Sequence, residues 1–237
     1  MICPWCGGSL IINNAKSVYS APHMDAEMNG ERLHMGTLTT YSECKTCGLM
    51  FVNPKLSDEW YEWFYSSGTY RQTLGISQEE MDADEQRRAD DLVEWLSVFD
   101  EMNINHHCDI GSSRGYLMEN MRREYQCSVY GVEPNSDYKS IVESGYFSKP
   151  DLVSAIHVLE HVTDPIKELT TWANMTSKYL LIEVPGLNTV GGPLRFAHLY
   201  YFPPELLKAK IIELGFDIVA METEPNTRIL AEKRLTQ

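Results

Sequence analysis

The chain lacks a long apolar run and is poor in positive charge, and each shortage excludes a class of proteins. No hydrophobic stretch approaches the roughly 20 residues that a membrane-spanning helix needs. The opening residues, MICPWCGG, have neither the basic nor the apolar region of a signal peptide. The net charge is −14, whereas a protein that binds nucleic acid usually presents a basic face. We therefore expect a cytoplasmic protein that has neither a membrane nor a nucleic acid as its partner.

Internal repeats and low-complexity segments are also missing, and the composition is that of a folded domain. Of the 237 residues, 43% are hydrophobic and 23% are charged. This length is enough for one full-sized catalytic domain with a small appendage, or for two modest domains. Much of the acidity lies in residues 79–95, EEMDADEQRRADDLVEW, whose apolar positions indicate an amphipathic helix with a solvated acidic side.

Cysteine is scarce, yet four of the six cysteines form two matched pairs. CPWCG contains Cys3 and Cys6, and CKTCG contains Cys44 and Cys47. Each C-x-x-C-G turn presents two thiolates, so the four together predict one structural zinc site with no open coordination position. A disulfide framework is the weaker interpretation, because cytosolic thiols stay reduced. Residues 1–53 are therefore predicted to form a small zinc-ribbon-like module.

Residues 157–161, HVLEH, fit the H-x-x-E-H signature of inverted zinc peptidases. That signature needs a helix, in which histidines four residues apart share one face. Here the preceding DLVSAI is a short apolar run typical of a buried strand, and the following TDP begins a helix with Asp164 as its cap and Pro165 in its first turn. His157 is therefore predicted at the end of a strand and His161 in the turn after it, which argues against a peptidase.

Strands and helices alternate from residue 82 to the end of the chain. The predicted strands are HHCDI, CSVYGVE, DLVSAI, YLLIEV, FDIVAMETE and TRILAEKRL, and the predicted helices include YLMENMRREY, SDYKSIVES and PELLKAKIIELG. Such alternation predicts an α/β fold with a parallel sheet and helices on both faces. We accordingly divide the chain into the zinc-binding module at 1–53, an aromatic-rich linker or helix at 54–81, and an α/β domain at 82–237.

The first strand of this domain ends in a glycine-containing turn, DIGSSRGYL, at the edge where parallel sheets bind ligands. Asp109, Gly111 and Gly115 form D-x-G-x-x-x-G, in which a carboxylate ends the strand and the glycines let a ligand approach the backbone. Serine and tyrosine replace two glycines of the dinucleotide fingerprint, so a dinucleotide site is not predicted. Glu133 ends the second strand, at the spacing typical of a carboxylate that binds ribose hydroxyls.

The α/β domain contains, in order, the motifs DIGSSRG, VYGVEPN, DLVSAIHVLEHVTDP, LLIEVPG and HLYYFPPELLKAKIIELGFDIV. These motifs resemble those of class I S-adenosylmethionine-dependent methyltransferases. The front end, CGLMFVNPKLSDEWYEWFYSSGTY after a cysteine pair, is similar to a subgroup with an N-terminal zinc-binding module, which is associated with sugar, cell-envelope or natural-product methylation. The resemblance covers nearly the whole chain. It implies a Rossmann-like class I methyltransferase sheet, S-adenosylmethionine as the methyl donor, and a small-molecule acceptor such as a sugar or sugar nucleotide.

The resemblance also implies which residues bind the donor. The glycine turn would contact the methionine part of S-adenosylmethionine, Glu133 would bind the ribose hydroxyls, and the strand tip at His157 would line the pocket. The implied donor-binding residues are Asp109, Gly111, Ser112, Gly115, Glu133 and His157. Only YKSIVESGYFSKP fills the interval in which the family has a third strand and an acidic residue for the adenine amino group. We expect this third strand to be short or missing.

A hydroxyl or amine acceptor must lose a proton during methyl transfer, and histidine is the natural base near neutral pH. His198 is the first candidate, because it lies in PGLNTVGGPLRFAHLYYF, a glycine-containing connection that could cover the acceptor. His161, on the strand tip nearer the donor, is the second. It could instead only orient its loop, or bind a divalent cation together with Glu160. Tyr65 and Tyr70 are interpreted as packing residues of a helix, with closure over the donor as the alternative.

The sequence leaves two other functions open. The chain could be a zinc-ribbon-guided RNA methyltransferase, which the acidic balance disfavours, or a methyltransferase-like binding protein without catalytic activity. A salt series of RNA-binding measurements tests the first, and donor binding tests the second. The sequence specifies neither the acceptor atom (O, N or C) nor the oligomeric state.

Overall fold

A computed structural model describes most of the chain. The described residues are 1–18, 26–33, 38–73, 76–99, 102–135, 138, 149–187 and 197–235. Most of the predicted helix SDYKSIVES and most of the glycine-containing connection before His198 lie outside these residues. In the part of the chain that is described, no helix has both the length and the apolar composition needed to cross a membrane.

The N-terminal residues form β-structure around the two cysteine pairs. The strands are β1 (Ile11–Val18), β2 (Ala26–Met28), β3 (Glu31–Leu33), β4 (Leu38–Cys44) and β5 (Met50–Val52). β2 and β3 pair as a hairpin, while β4 lies between β1 and β5 and is antiparallel to both. Tyr41 and Leu49 are fully buried and give this small unit an apolar centre.

Three helices connect the N-terminal strands to the α/β domain. They are α1 (Asp58–Ser66), α2 (Thr69–Thr73) and α3 (Gln78–Ser97). Ser57 caps α1 by accepting a hydrogen bond from the Trp60 N–H, and Ser77 with Glu80 forms a capping box at the start of α3. Trp60 and Phe64 of α1 are buried and stack with their ring centroids 4.7 Å apart. The aromatic segment therefore packs into the core, as its sequence predicts.

The α/β domain contains a mixed six-stranded sheet. Its strands are β6 (His106–Ile110), β7 (Ser128–Val132), β8 (Leu152–Ile156), β9 (Tyr179–Pro185), β11 (Phe216–Glu222) and β12 (Asn226–Lys233). The order is β11-β12-β9-β8-β6-β7, in which β7, β6, β8 and β9 run parallel. β12 is antiparallel to both of its neighbours, β9 and β11, so the sheet is mixed and not wholly parallel as the alternation predicts. All six predicted strands are confirmed. Among the described residues β7 forms one edge, and because residues 139–148 lie outside them, the short or missing third strand stays a prediction.

Helices cover both faces of this sheet, as predicted. Three helices that lie wholly within the described residues follow β6: α4 (Tyr116–Tyr125), α5 (Pro165–Met175) and α6 (Pro204–Glu213). α3 and α4 pack on the face that contains Leu152 and Leu181, whereas α5 and α6 pack on the face that contains Val153 and Ile182. Residues 157–161 lie in turns between β8 and α5 and are not helical, so the structure lacks the helix that a zinc peptidase needs.

A short strand, β10 (Tyr200–Tyr201), ties the N-terminal strands to the α/β domain. It pairs antiparallel with β5, with Tyr200 opposite Phe51, and completes a four-stranded sheet of order β1-β4-β5-β10. The Val52 N–H also donates a 2.9 Å hydrogen bond to the carbonyl of Leu199. One cluster of buried residues extends from Cys44 in the first sheet to Val153 in the second. The cysteine-containing strands thus share a core with the α/β domain.

Candidate active site

The glycine turn (residues 109–115) follows β6 at the carboxyl edge of the sheet. Gly111, Ser113 and Gly115 have positive φ angles of 71°, 49° and 83°, a region that glycine enters without strain. Packing also excludes a side chain at Gly111, since a Cβ there would lie 2.5 Å from Val158 Cγ2. The glycine at this position therefore lets the turn lie directly against the HVLEH loop (residues 157–161).

Asp109 is buried at the start of the glycine turn and is held by two linked hydrogen bonds. Ser154 Oγ donates to Asp109 Oδ1 at 2.6 Å, and His107 Nε2 lies 2.8 Å from Ser154 Oγ. Because the serine proton points to Asp109, His107 must donate to the serine. Burial raises the pKa of Asp109 to about 7 and lowers the pKa of His107 to about 3. No role for His107 or Ser154 follows from the sequence, because only strand pairing brings them beside Asp109.

Glu133 lies just after β7, and its carboxylate closes the glycine turn from the side. Its two oxygens accept hydrogen bonds from the backbone N–H groups of Ser113 and Asn135, each at 2.8 Å. Charge-assisted hydrogen bonds of this kind fix the orientation of the carboxylate. Each oxygen has a further lone pair with which it can accept a hydrogen bond from a ligand.

Arg71 and Glu85 close the outer side of the glycine turn. Arg71 donates to Glu85 at 2.8 Å and to Ser113 Oγ at 2.6 Å, and Ser113 Oγ donates to Glu85 at 2.8 Å. The Arg71 guanidinium also lies 4.9 Å from the centre of the Tyr138 ring. Arg71, Ser113 and Tyr138 are far apart in the chain, and no local sequence pattern relates them. The sequence therefore does not predict these contacts.

His157 begins the HVLEH loop in the left-handed conformation, with a φ of 54°, which is uncommon for a residue with a side chain. Its Nε2 lies 3.1 Å from Glu183 Oε1 and its Nδ1 lies 3.4 Å from Glu160 Oε1. Burial alone would lower the pKa of His157, but the two carboxylates raise it to about 9. His157 is therefore charged at neutral pH and links the loop to β9.

Three side chains, Glu160, His161 and His198, form what we call the acidic–histidine cluster. One nitrogen or oxygen of each lies within 4.8 Å of the others. The His161 and His198 rings meet edge to face, with centroids 4.9 Å apart. The segment that carries His198 is held by the Leu199 N–H, which donates to the Glu160 carbonyl at 2.7 Å, and by the Tyr41 hydroxyl, which donates to the His198 carbonyl at 3.2 Å. The structure thus brings together two histidines that the sequence assigns to different sides of the pocket.

The Glu160 side chain is buried at the centre of this cluster. Only 1% of the residue is exposed, and neither carboxylate oxygen accepts a hydrogen bond from any residue that the structure describes. Burial alone would raise the pKa of Glu160, but the neighbouring His161 and His157 lower it to about 2. Glu160 is therefore a carboxylate at neutral pH.

His161 is oriented by contacts on the side of its ring that faces away from Glu160. Its Nδ1 lies 2.8 Å from the Ala197 carbonyl oxygen and 2.9 Å from the Tyr65 hydroxyl, and that hydroxyl itself donates to the same carbonyl. The His161 Nε2 lies 3.6 Å from Glu160 Oε1. Burial lowers the pKa of His161, so the ring is neutral at neutral pH. Tyr65 thus contacts the cluster directly, beyond the packing role predicted for it.

The four paired cysteines also come together, near β4 and away from the glycine turn. The Sγ atoms of Cys3 and Cys47 are 3.7 Å apart, and those of Cys6 and Cys44 are 3.6 Å apart. These separations exceed the ~2.05 Å of a disulfide and are close to the ~3.8 Å between two thiolates on one tetrahedral zinc ion. The four residues could therefore hold one metal ion.

One cavity of about 2190 Å³ joins the other candidate residues. Of the residues predicted from the sequence, those that line it are Asp109, Gly111, Ser112, Glu133, His157, His161 and His198. Gly115 does not line the cavity but begins α4 with its positive φ. Because the glycine turn and the acidic–histidine cluster face the same space, a molecule bound at one would lie beside a molecule bound at the other.

The sheet order and the polar turn at its carboxyl edge define an α/β fold of the Rossmann-like methyltransferase type. The structure resembles magnesium protoporphyrin IX methyltransferase from Synechocystis PCC 6803 with bound S-adenosylmethionine, with a TM-score of 0.55 and 16% identity over 77% of this chain and 100% of that one. It also resembles an S-adenosylmethionine-dependent methyltransferase from Archaeoglobus fulgidus, with a TM-score of 0.50 and 19% identity over 66% of this chain and 100% of that one. At these identities the likeness shows the fold.

The sequence itself shows the family. Residues 81–221 match the methyltransferase domain family. No curated protein sequence matches the chain. The chain belongs to the methyltransferase domain family, and it is an S-adenosylmethionine-dependent methyltransferase.

Proposed function

We propose that the enzyme transfers the methyl group of S-adenosylmethionine to a hydroxyl of a small-molecule acceptor, a sugar or sugar nucleotide of polysaccharide or natural-product biosynthesis. The observation that carries this proposal is the single cavity shared by the glycine turn and the acidic–histidine cluster. Its volume of about 2190 Å³ exceeds the ~300–1,000 Å³ of a typical ligand pocket, so a donor and a second molecule can occupy it together. Carboxylates, imidazoles and tyrosine hydroxyls in its wall are partners for sugar hydroxyls.

The glycine turn and Glu133 are the proposed donor site. Asp109, Gly111 and Ser112 would face the methionine part of the donor, and Gly115 would maintain the turn. Glu133 would accept hydrogen bonds from the two ribose hydroxyls with the lone pairs that its backbone partners leave open. His157 would line the donor pocket, fixed by its contacts to Glu160 and Glu183.

The acidic–histidine cluster is the proposed acceptor site. Methyl transfer is an in-line displacement, in which the acceptor oxygen bonds to the methyl carbon as the carbon–sulfur bond breaks, so positioning supplies much of the rate. The acceptor hydroxyl must also lose its proton. His198, with His161 beside it, is proposed to promote that loss, and the buried Glu160 carboxylate would stabilise positive charge on either ring.

The four paired cysteines are proposed to bind one structural zinc ion, and residues 1–53 to be a zinc-binding module ahead of a linker at 54–81 and the methyltransferase domain at 82–237. Support comes from the 3.6 and 3.7 Å sulfur separations and from the positive φ angles of Gly7 and Gly48, which close the two C-x-x-C-G turns. With four thiolate ligands the ion would have no open position, and its role would be structural.

Replacing Glu133 with alanine is expected to weaken S-adenosylhomocysteine binding by about 10- to 150-fold, equivalent to ~1.5–3 kcal/mol, because a charged hydrogen-bond acceptor is lost. Calorimetry measures this, and Glu119→Ala on the exposed face of α4 is the matched control. Glu133 also accepts a hydrogen bond from the glycine turn, so its loss affects the turn as well as the ribose contact. To separate the two effects, the titration is repeated with a donor analogue that lacks the 2′ and 3′ hydroxyls. The wild type should discriminate against that analogue and Glu133→Ala should not. Equal discrimination by both would show that the ribose site is elsewhere.

The proposed acceptor class is tested by incubating the enzyme with S-adenosylmethionine and a panel of sugars, sugar nucleotides and short RNAs. Mass spectrometry should detect one added methyl group on at least one sugar or sugar nucleotide and on none of the RNAs. Donor binding without methylation of any sugar compound, or methylation of RNA, would contradict the proposal.

A further inference from the structure

We propose that Glu160, His161 and His198 bind one divalent transition-metal ion, and that this ion coordinates the acceptor hydroxyl. The inference rests on the proposed function and adds how the acceptor is activated. It concerns a different site from the four cysteines, with nitrogen and oxygen ligands in place of thiolates. Three observations support it: the burial of Glu160, the orientation of His161 and the geometry of the three groups.

Glu160 supplies the first observation. Its carboxylate is 1% exposed and accepts no hydrogen bond from the described residues, although a buried charged group normally requires such partners. The His157 imidazole lies 3.4 Å from Glu160 Oε1, and the same ring lies closer to Glu183, at 3.1 Å. Neither oxygen of the buried carboxylate thus has a hydrogen-bond donor among the described residues, and a bound cation would occupy the open lone pairs.

The orientation of His161 supplies the second observation. A carbonyl oxygen can only accept, so the 2.8 Å contact with Ala197 places a hydrogen on Nδ1. Nε2 then faces Glu160 Oε1 at 3.6 Å and is the ring nitrogen that would bind an ion. Metal-binding histidines typically donate their other ring N–H to a backbone carbonyl in this way. The ring is therefore held in the tautomer and direction that a metal ligand needs.

The geometry of the three groups supplies the third observation. Ligand atoms bound to one ion at ~2.1 Å are about 3.0–3.4 Å apart in octahedral or tetrahedral coordination. The Nε2–Oε1 separation of 3.6 Å is only slightly wider. A ring nitrogen of His198 lies within 4.8 Å of one ligand atom of each of the other two residues. A small inward movement of the side chains would complete the site. All three residues line the cavity, so an ion there is open to the acceptor.

The ligand set indicates the class of ion. Two imidazoles and one carboxylate suit manganese, iron, cobalt or zinc as divalent ions and leave coordination positions for substrate oxygen. Calcium would require more oxygen ligands than one carboxylate offers. The ion would lower the pKa of a coordinated hydroxyl, whose proton leaves to solvent. The resulting alkoxide attacks the methyl carbon, the carbon–sulfur bond breaks, and its electron pair stays on the sulfur of S-adenosylhomocysteine.

Manganese is the probe for this site, because Mn²⁺ prefers nitrogen and oxygen ligands and does not compete for the cysteine site. The full chain is titrated with MnCl₂, and electron paramagnetic resonance measures the unbound Mn²⁺. We expect one bound ion per chain in the wild type and binding at least ~100-fold weaker in Glu160→Gln, since loss of an outer hydrogen-bond partner alone costs ~10- to 100-fold. His161→Gln is the second variant, and His106→Gln at the amino end of β6 is the matched control.

Circular dichroism and S-adenosylhomocysteine affinity verify that each variant is folded. If the wild type binds no Mn²⁺, Co²⁺ or Zn²⁺ beyond the ion on the cysteines, or if both cluster variants fold and bind Mn²⁺ as the wild type does, the metal site does not exist. Methylation of a sugar by protein that binds no such ion would leave the proposed function intact and reject the metal. Tight Mn²⁺ binding with no sugar methylated would support the metal site and contradict the proposed acceptor class.

Discussion

Replacement of His198 with asparagine is expected to lower the turnover of methyl transfer by roughly 10²–10⁴, the usual contribution of acid–base catalysis, and to leave donor affinity nearly unchanged. His198 is buried against His161 on the cavity wall, and its side chain belongs to the proposed acceptor site and not to the proposed donor site at the glycine turn and Glu133. Its backbone is held independently through the Tyr41 hydroxyl, so the substitution removes the imidazole and retains the segment. Turnover is measured with an acceptor that the enzyme methylates, and the affinity of the donor site is measured by calorimetry with S-adenosylhomocysteine.

The matched control for this variant is His106→Asn. The His106 side chain is 43% exposed at the amino end of β6, the end opposite the cavity, so the same chemical change should leave turnover within about twofold. Full turnover by His198→Asn would show that neither this imidazole nor an ion held by it activates the acceptor. A parallel loss of donor affinity would place His198 beside the donor instead.

The second large effect is expected at Cys44, where serine should release the proposed zinc and lower Tm by about 10 °C or more. Apparent binding energies of structural zinc are ~10–16 kcal/mol, and losing even ~4 kcal/mol moves the Tm of a chain this size by 2–4 °C per kcal/mol. Cys44 is fully buried and pairs with Ile11 across β1 and β4, so the damage should spread through that sheet. Metal analysis and thermal unfolding measure the outcome.

Cys127→Ser is the matched control, since Cys127 is also buried but lies among α3, α4 and the sheet, away from the other cysteines. It should destabilise the protein by no more than about 3 kcal/mol and leave the zinc content at one per chain. A Cys44→Ser protein that retains one zinc, or a wild type that carries far less than one, would contradict the cysteine site. Because Tyr41 and Val52 hold the backbone of His198 and Leu199, Cys44→Ser should also lower turnover more than it lowers donor affinity.

The sequence predicts most of the α/β domain because its pattern is local. Strands such as DLVSAI are short apolar runs between turn residues, and Asp164 and Pro165 begin a helix by capping chemistry that needs no distant partner. The same local patterns predict that HVLEH lies between a strand and a helix, whereas the zinc-peptidase motif needs HVLEH itself to be helical. The glycine turn and Glu133 also follow from spacing, since both lie at strand ends that a parallel sheet must bring to one edge.

What the sequence does not predict depends on contacts between distant segments. Asp109 is held by hydrogen bonds through Ser154 and His107, and Ser113 accepts a hydrogen bond from Arg71. These hydrogen bonds form only when separate strands and helices pack together. The meeting of His161 with His198 is of the same kind, because β10 pairs with a strand that lies far earlier in the chain. Neither composition nor periodicity encodes such a pairing.

The pairing of β10 with β5 has a consequence for synthesis of the protein on the ribosome. β5 emerges early, but its partner follows roughly 150 residues later, a delay of about 8–30 s at typical elongation rates. During that interval the sheet has an unpaired edge, which is a site at which nascent chains can associate. β5 is only three residues long, and so short an edge offers few backbone groups to another chain. The brevity of this strand thus protects the nascent N-terminal region until the second half of the chain arrives to complete its sheet.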